Sequence, residues 1–346
     1  TTAGILEFVT ETQDWNYDGA AIDAYVSDAK VHIGADGYLY ASPTNGNQVF
    51  KIKTKYADNG DSVVASQDGS QLFVFDNYGK HLRTHNTLSG EVEYSFTYDN
   101  GGRLDSVTDI HGRVTTILRD SNGVATGIVA PDSQRTELTV DVNGHLTQVT
   151  NPAGESFGMT YSEGGLLTQF SDRKNQINYF EYDLMGRLTR DVNAGGGGWV
   201  LQRTEQENGY LTTMTTAEGR QSTFSVQPLL TGSRVQHNIF PDGTVQEKQF
   251  TVKGEEITLH PDGTLITAQE KPDPRFGMQA PIFDTRIETP GRKVSVTKVE
   301  RTASLADPSD LLSLEHLTET KTINGRTFSS TYNAATRTGI STTPEG

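Results

Sequence analysis

The sequence predicts an all-β chain: an array of β-hairpin repeats set side by side as a curled sheet or part of a spiral wall, with at most one short helix. Three observations predict it. An Asp-x-x-Gly turn returns every 21 residues through the middle of the chain. Apolar and polar residues alternate between the turns. Gly is abundant, at 35 of 346 residues, while signals for long helices are scarce.

The turns set the frame. Glycines stand at Gly102, Gly123, Gly144, Gly165 and Gly186, and three residues before them stand Asp99, Asp120, Asp141, Ser162 and Asp183. Asp or Ser opening a type I turn accepts a hydrogen bond from the backbone two residues on. Gly at the fourth position supplies the left-handed conformation that lets the strands pair again. A second turn column lies about ten residues on, at Gly112, Ser133, Gly154 and Asn175, so each period holds two turns and two strands.

The strand columns agree. Phe96, Ile117, Leu138, Met159 and Phe180 precede the turn opener by three, and Leu104, Ala125, Leu146, Leu167 and Leu188 follow the glycine by two. Into the first turn Val92, Tyr94, Phe96 and Tyr98 alternate with Glu93, Ser95 and Thr97. One 21-residue unit buries too little apolar surface to stand alone, so neighbouring units must share a sheet.

Charge and composition exclude several partners. The chain has 29 Lys and Arg against 44 Asp and Glu, a net charge of -15, which argues against nucleic acid and anionic membranes. There is no cysteine, hence no disulfide and no thiolate metal site. No apolar run approaches the roughly 18 residues of a membrane span. No signal peptide is visible at Thr1, and the abrupt ends suggest a processed or partial chain.

The residues Tyr98-Asp99-x-x-Gly102-Arg103-Leu104 and Tyr182-Asp183-x-x-Gly186-Arg187-Leu188 resemble the YD repeats of Rhs and teneurin proteins. The units between keep the spacing but place Arg119 where Tyr would stand, and Val124, His145 and Leu166 where Arg would stand. The match is plainest over 72–193. The repeat signature therefore comprises Tyr98, Asp99, Gly102, Arg103, Asp120, Gly123, Asp141, Gly144, Gly165, Tyr182, Asp183, Gly186 and Arg187. Upstream, Asp18-Gly19, Asp36-Gly37, Tyr38-Leu39-Tyr40 and Asn45-Gly46-Asn47-Gln48-Val49 resemble one blade of an NHL-type propeller. Downstream, PDPRFGMQAPI from Pro272 to Ile282 is similar to a segment of bacterial teneurin-like YD proteins.

Three regions follow: 1–56 as a propeller blade or linker strands, 57–198 as the regular period-21 sheet, and 199–346 as divergent repeats. In the last region nine of twelve prolines lie after residue 221, which suggests edge-like or bulged strands. Gly195 to Gly198 read as a flexible bend. Asp307-Pro308 followed by Leu311, Leu312, Leu314 and Leu317 is the one plausible helix. The repeat resumes around Gly325.

A Walker loop and HExxH are both missing. Self-cleaving Rhs proteins carry catalytic aspartates near the end of the shell, and Asp307-Pro308 lacks that context. His81 and His85 share a strand face but have no third ligand nearby. Asp58-Asn59-Gly60-Asp61 offers calcium oxygens without EF-hand spacing. Arg103, Arg113, Arg187, Arg220 and Arg326 could line a groove, but turn ion pairs are the simpler reading. Tyr98, Tyr161 and Tyr182 could stack sugars, but a cross-strand ladder is simpler.

The sequence thus predicts no catalytic residue, no cofactor and no metal. The resemblance implies a non-enzymatic part of a β-shell from a large secreted or surface protein, enclosing a C-terminal polypeptide such as a toxin. Its partners would be further repeats and that payload of the same parent chain. The alternative it implies is adhesion, with a cell-surface receptor or glycan as partner.

Overall fold

In the computed structural model, four short strands are described near the start: β1 Leu6–Val9, β2 Ala29–Ile33, β3 Leu39–Pro43 and β4 Phe50–Thr54. From there the structure describes residues 61–345 continuously. The described residues are all-β, with no helix. β1 to β4 form an antiparallel sheet in the order β1-β4-β3-β2. The glycines of the blade-like motif, and Asp58 to Gly60 of the acidic loop, lie outside the described residues.

The chain divides into two compact units. One comprises Thr97–Gln269 and Thr285–Ser295. Here every strand from Leu104–Asp109 to Leu265–Asp273 pairs antiparallel with the next in sequence. The turn openers are Asp99, Asp109, Asp120, Ala130, Asp141, Asn151, Ser162, Asp172, Asp183 and Asn193, alternately ten and eleven residues apart.

The odd period has a physical cause in the hairpins that carry the extra residue. Arg119 pairs with Ala125 while Leu118 pairs with Gly127, so Thr126 is bulged out of the ladder. The same shift skips Thr147, Thr168 and Thr189. A bulge leaves one residue unpaired and its neighbourhood short of a hydrogen bond. Here the side chain supplies one: Thr147 Oγ1 donates to the Thr139 carbonyl at 3.2 Å, and Thr168 Oγ1 to that of Thr160 at 3.1 Å.

The other unit gathers residues up to Phe96 with Glu270–Asp284 and the chain from Val296 on. Strands Ser62–Ala65, Gln71–Phe75, His81–Asn86 and Val92–Tyr98 form one meander. Strands Val294–Leu305, Leu314–Ile323, Arg326–Asn333 and Thr338–Thr342 form another. A true core sits here: Ala65, Leu72, Phe276, Ala280 and Leu311 pack together, with Phe276 1% exposed. Burying a phenylalanine contributes about 2–3 kcal/mol. Gly69, at φ 72 in the left-handed region, turns the chain beside the Phe276 ring.

Three sequence readings change. Asp307–Ser313 forms turns and not a helix, because the Asp307 and Asp310 carboxylates accept the Ser309 and Leu312 amides and close Asx turns, after which Leu314 begins a strand. Gly195 to Gly198 are no flexible bend. Gly196, at φ 79, donates to the Asn193 carbonyl in the tenth turn of the register, and Gly198 begins a strand. Several of the late prolines mark turns and not weakened strands. Pro241, Pro261 and Pro290 occupy the second turn position, where their fixed φ already fits.

Candidate functional site

The feature most strongly built into this chain is the column of turns itself. At Asp99, Oδ1 accepts the amides of Gly101 and Arg103, each at 2.9 Å, while the Gly102 amide donates to the Asp99 carbonyl. Gly102 has φ 75, and the Asp99 amide donates to the Arg103 carbonyl. This is a type I turn closed by a left-handed glycine bulge. Asp120, Asp141 and Asp183 repeat both carboxylate bonds, and Gly123, Gly144, Gly165 and Gly186 all have positive φ. Ser162 makes the weaker version, with its hydroxyl accepting the Leu166 amide at 3.2 Å. In the second column Ser133 and Asn175 adopt φ 66 and 57 without being glycine.

At several turns the residue after the glycine ties the turn to its neighbours. Arg103 Nε donates to Asp99 Oδ2 at 2.9 Å, and Arg187 Nε to Asp183 Oδ2 at 2.8 Å. Arg103 Nη1 also reaches the Gly123 carbonyl at 2.9 Å, on the next turn of the column. A Cβ on Gly123 would stand 1.6 Å from that Nη1, whereas nothing lies within 4 Å of one on Gly144. His145 extends the pattern: its ring lies against Gly165 and stacks on Tyr161 at 4.8 Å.

The tyrosine before each turn opener has a defined task. Tyr161 Oη donates to the Leu146 carbonyl at 2.7 Å, and Tyr182 Oη to the Leu167 carbonyl at 2.8 Å. Each spans 15 residues, to the preceding turn of its column. Arg119 stands in the same position and sends Nη2 to the Leu104 carbonyl at 3.0 Å. Arg119 departs from tyrosine by sequence, yet arginine is long enough to deliver the same donor. Tyr98 closes the strand Val92–Tyr98 and is half-buried.

The other candidates separate. His81 stacks between Phe75 and Phe96, with Nε2 near the Arg83 carbonyl and Thr84 Oγ1, and burial lowers its pKa. His85 turns to the Gly90 carbonyl. The two histidines are not brought together around a shared point. Asp61 faces Arg83 at 3.6 Å. Arg113 pairs with Asp109, and Arg220 lies 4.0 Å from Glu218. Among the described residues no group of three His, Asp or Glu side chains could hold a metal ion.

The model of the teneurin YD shell fits residues 59–342, most of the chain. The chain belongs to the teneurin YD-shell family. It is similar to teneurin-4 of Mus musculus, 34% identical over 177 residues, which is 48% of this chain and 6% of that protein. It is also similar to teneurin-1 of Gallus gallus, 26% identical over 266 residues, 72% of this chain and 10% of that protein. The chain thus spans a small part of these relatives. Among solved structures, a crystal structure of TcdB2-TccC3-Cdc42 aligns at a TM-score of 0.38 and 11% identity, covering 86% of this chain and 21% of that one.

In this YD-shell chain the carboxylates of Asp99, Asp109 and Asp183 sit below their usual pKa. The Arg103 amide lowers Asp99, the Arg113 side chain lowers Asp109, and the Arg187 amide lowers Asp183. A depressed folded pKa contributes stability above the unfolded value near 4, and that stability is lost as pH falls through the folded value. The thermal midpoint should therefore hold between about pH 6 and 5 and fall below about pH 4. Replacing Asp99 and Asp183 with Asn should flatten that acid limb, as read by circular dichroism melts.

The two glycines make a second test. Gly144→Ala should cost about 1–2 kcal/mol for the left-handed backbone alone. Gly123→Ala should cost only slightly more, by up to about 1 kcal/mol, because the new methyl also displaces the flexible, exposed end of Arg103. Adding Arg103→Ala to Gly123→Ala should restore part of the difference. Urea unfolding of the four variants measures this, and equal costs for the two single glycine changes would refute the stacking role of Arg103.

Proposed function

We propose that this chain is a non-catalytic wall element of a shell that encloses and sequesters a C-terminal polypeptide payload of a large secreted or surface protein. Family membership makes it a YD-shell scaffold. One observation carries the finer reading. Over Thr97–Gln269 no large apolar side chain is fully buried among the described residues, although the strands pair without interruption. A sheet of half-buried apolar side chains has the makings of a boundary: it has extent without a packed core. The Asp, Arg and Tyr columns are engaged with backbone and with each other, which supports a structural use of these side chains.

The regional reading of the sequence stands as part of this proposal. Support for 1–56 as a propeller-blade-like region comes from the separate sheet of β1 to β4. Support for a change near residue 198 comes from strand length: Leu188–Val192 has 5 residues, while Gly198–Gln206 has 9 and Gly277–Glu288 has 12. The adhesion reading draws on the teneurin relatives, with a receptor or glycan at the outer surface.

Electron microscopy of the natural polypeptide that carries this chain tests enclosure. The expected result is a hollow particle with density inside, whose enclosed segment resists trypsin until the particle is denatured. A solid or flat particle with no protected segment would overturn it, and glycan or cell binding by such a particle would favour adhesion instead.

A further inference from the structure

Seven Asn-Gly pairs occur in the sequence, and five fall among the described residues: Asn100-Gly101, Asn122-Gly123, Asn143-Gly144, Asn208-Gly209 and Asn324-Gly325. Such a pair carries latent chemistry. The glycine backbone nitrogen can attack the carbonyl carbon of the Asn side chain, because glycine has no Cβ to obstruct the approach. All five asparagines are exposed, so exposure does not rank them. What ranks them is the work each glycine amide already does.

At four pairs that amide is committed. Gly101 donates to Asp99 Oδ1 at 2.9 Å, Gly123 to the Asp120 carbonyl at 2.9 Å and Gly144 to the Asp141 carbonyl at 3.1 Å. Gly209 is paired with Gln206 in the ladder. Before attacking, the first three nitrogens must give up a bond that closes their turn, and Gly209 must leave its strand.

Asn324-Gly325 is arranged differently. These two residues alone join the strands Leu314–Ile323 and Arg326–Asn333, with Ile323 paired to Arg326. Their φ values of 50 and 85 are the left-handed pair of a type I′ turn. The ladder closes around the Asn-Gly peptide and not through it, and the Gly325 amide donates to no acceptor among the described residues. The Asn324 side chain is held from outside. The Val296 amide donates to Asn324 Oδ1 at 2.8 Å, and the Asn324 amide donates to the Val296 carbonyl at 2.9 Å. A donor on Oδ1 makes the side-chain carbonyl carbon more electrophilic and stabilises the negative charge that develops on that oxygen during attack.

We propose that Asn324 is a self-modification site, which converts to aspartate and isoaspartate faster than the Asn-Gly pairs of the repeat turns. The Gly325 nitrogen gives its proton to solvent and bonds to Asn324 Cγ. The bond from Cγ to Nδ2 breaks, and Nδ2 leaves as ammonia with a proton taken from solvent. Water then opens the cyclic imide at either carbonyl. One water is consumed and one ammonia released, with no oxidant and no enzyme. The isoaspartate product has an additional methylene in its main chain, so the paired bonds with Val296 no longer fit and the hairpin tip comes loose from the strand Val294–Leu305. This goes beyond the scaffold reading and does not depend on what the shell encloses.

Ageing the whole 346-residue chain at mildly alkaline pH tests it. Peptide mapping by mass spectrometry, with digestion in heavy-oxygen water to mark conversion during work-up, follows the five sites. Asn324 should convert about fivefold or more faster than Asn100, Asn122, Asn143 and Asn208, the order of factor that one hydrogen bond supplies. In urea-unfolded chain the five rates should draw together. Hydrogen exchange on the aged isoaspartate fraction should show the Val296 amide exchanging faster than in fresh chain. Equal rates in the folded chain, or a faster rate at any of the other four sites, would overturn the proposal. An unchanged Val296 amide in the isoaspartate fraction would overturn the loosening of the hairpin.

Discussion

A carboxylate oxygen accepting two backbone amides at the tip of a hairpin is the interaction on which the regular part of this chain depends. At Asp99 and its counterparts, Oδ1 takes the amides two and four residues on, while the following glycine turns the chain with a positive φ. The turn then closes without help from a partner layer. That independence matters, because the strands it joins bury little: Ile117, Leu138, Met159 and Phe180 are all only half-buried. Local turn chemistry and the cross-strand ladder must carry what a hydrophobic core carries elsewhere.

The columns add a second tier of order. Arg103 reaches from one turn to the carbonyl of the next, and Tyr182 reaches back to the carbonyl of the one before. These bonds join hairpins that are neighbours in sequence, so pairing errors are penalised one repeat at a time. Individually the exposed Arg–Asp pairs contribute little. Their value lies in repetition and in fixing the register of turns that carry different side chains. The contrasting unit is built by long-range contacts. Phe276 meets Ala65 and Leu72 across about two hundred residues, and Arg275 caps the Thr87 carbonyl. The segment Pro272–Ile282 thus acts as a plug under an early meander of its own unit.

Much of this was legible in the sequence, and the reasons differ by residue. The Asp-x-x-Gly spacing is readable because both residues are required by turn geometry, so the pattern survives where strand residues vary. The threonine bulge was equally periodic, at Thr126, Thr147, Thr168 and Thr189, and a search down that column would have found it. It was missed because a bulge is defined by its partner strand, which sequence alone does not supply. Arg119 was misjudged because equivalence to tyrosine depends on reach to a carbonyl 15 residues back. The glycine run at Gly195 was read by composition when its register told more. The Asp307 segment misled through its leucines, which at this spacing serve a turn and a strand as well as they serve a helix.

The central claim is that each repeat closes through the same bonded turn. Scalar couplings across hydrogen bonds, recorded by NMR on a deuterated sample, observe those bonds directly. The account predicts couplings from the amides of Gly102, Gly123, Gly144, Gly165 and Gly186 to the carbonyls of Asp99, Asp120, Asp141, Ser162 and Asp183, respectively. Couplings from those glycines to carbonyls four residues back, as in a helix, or none at all in most of the five turns, would contradict it.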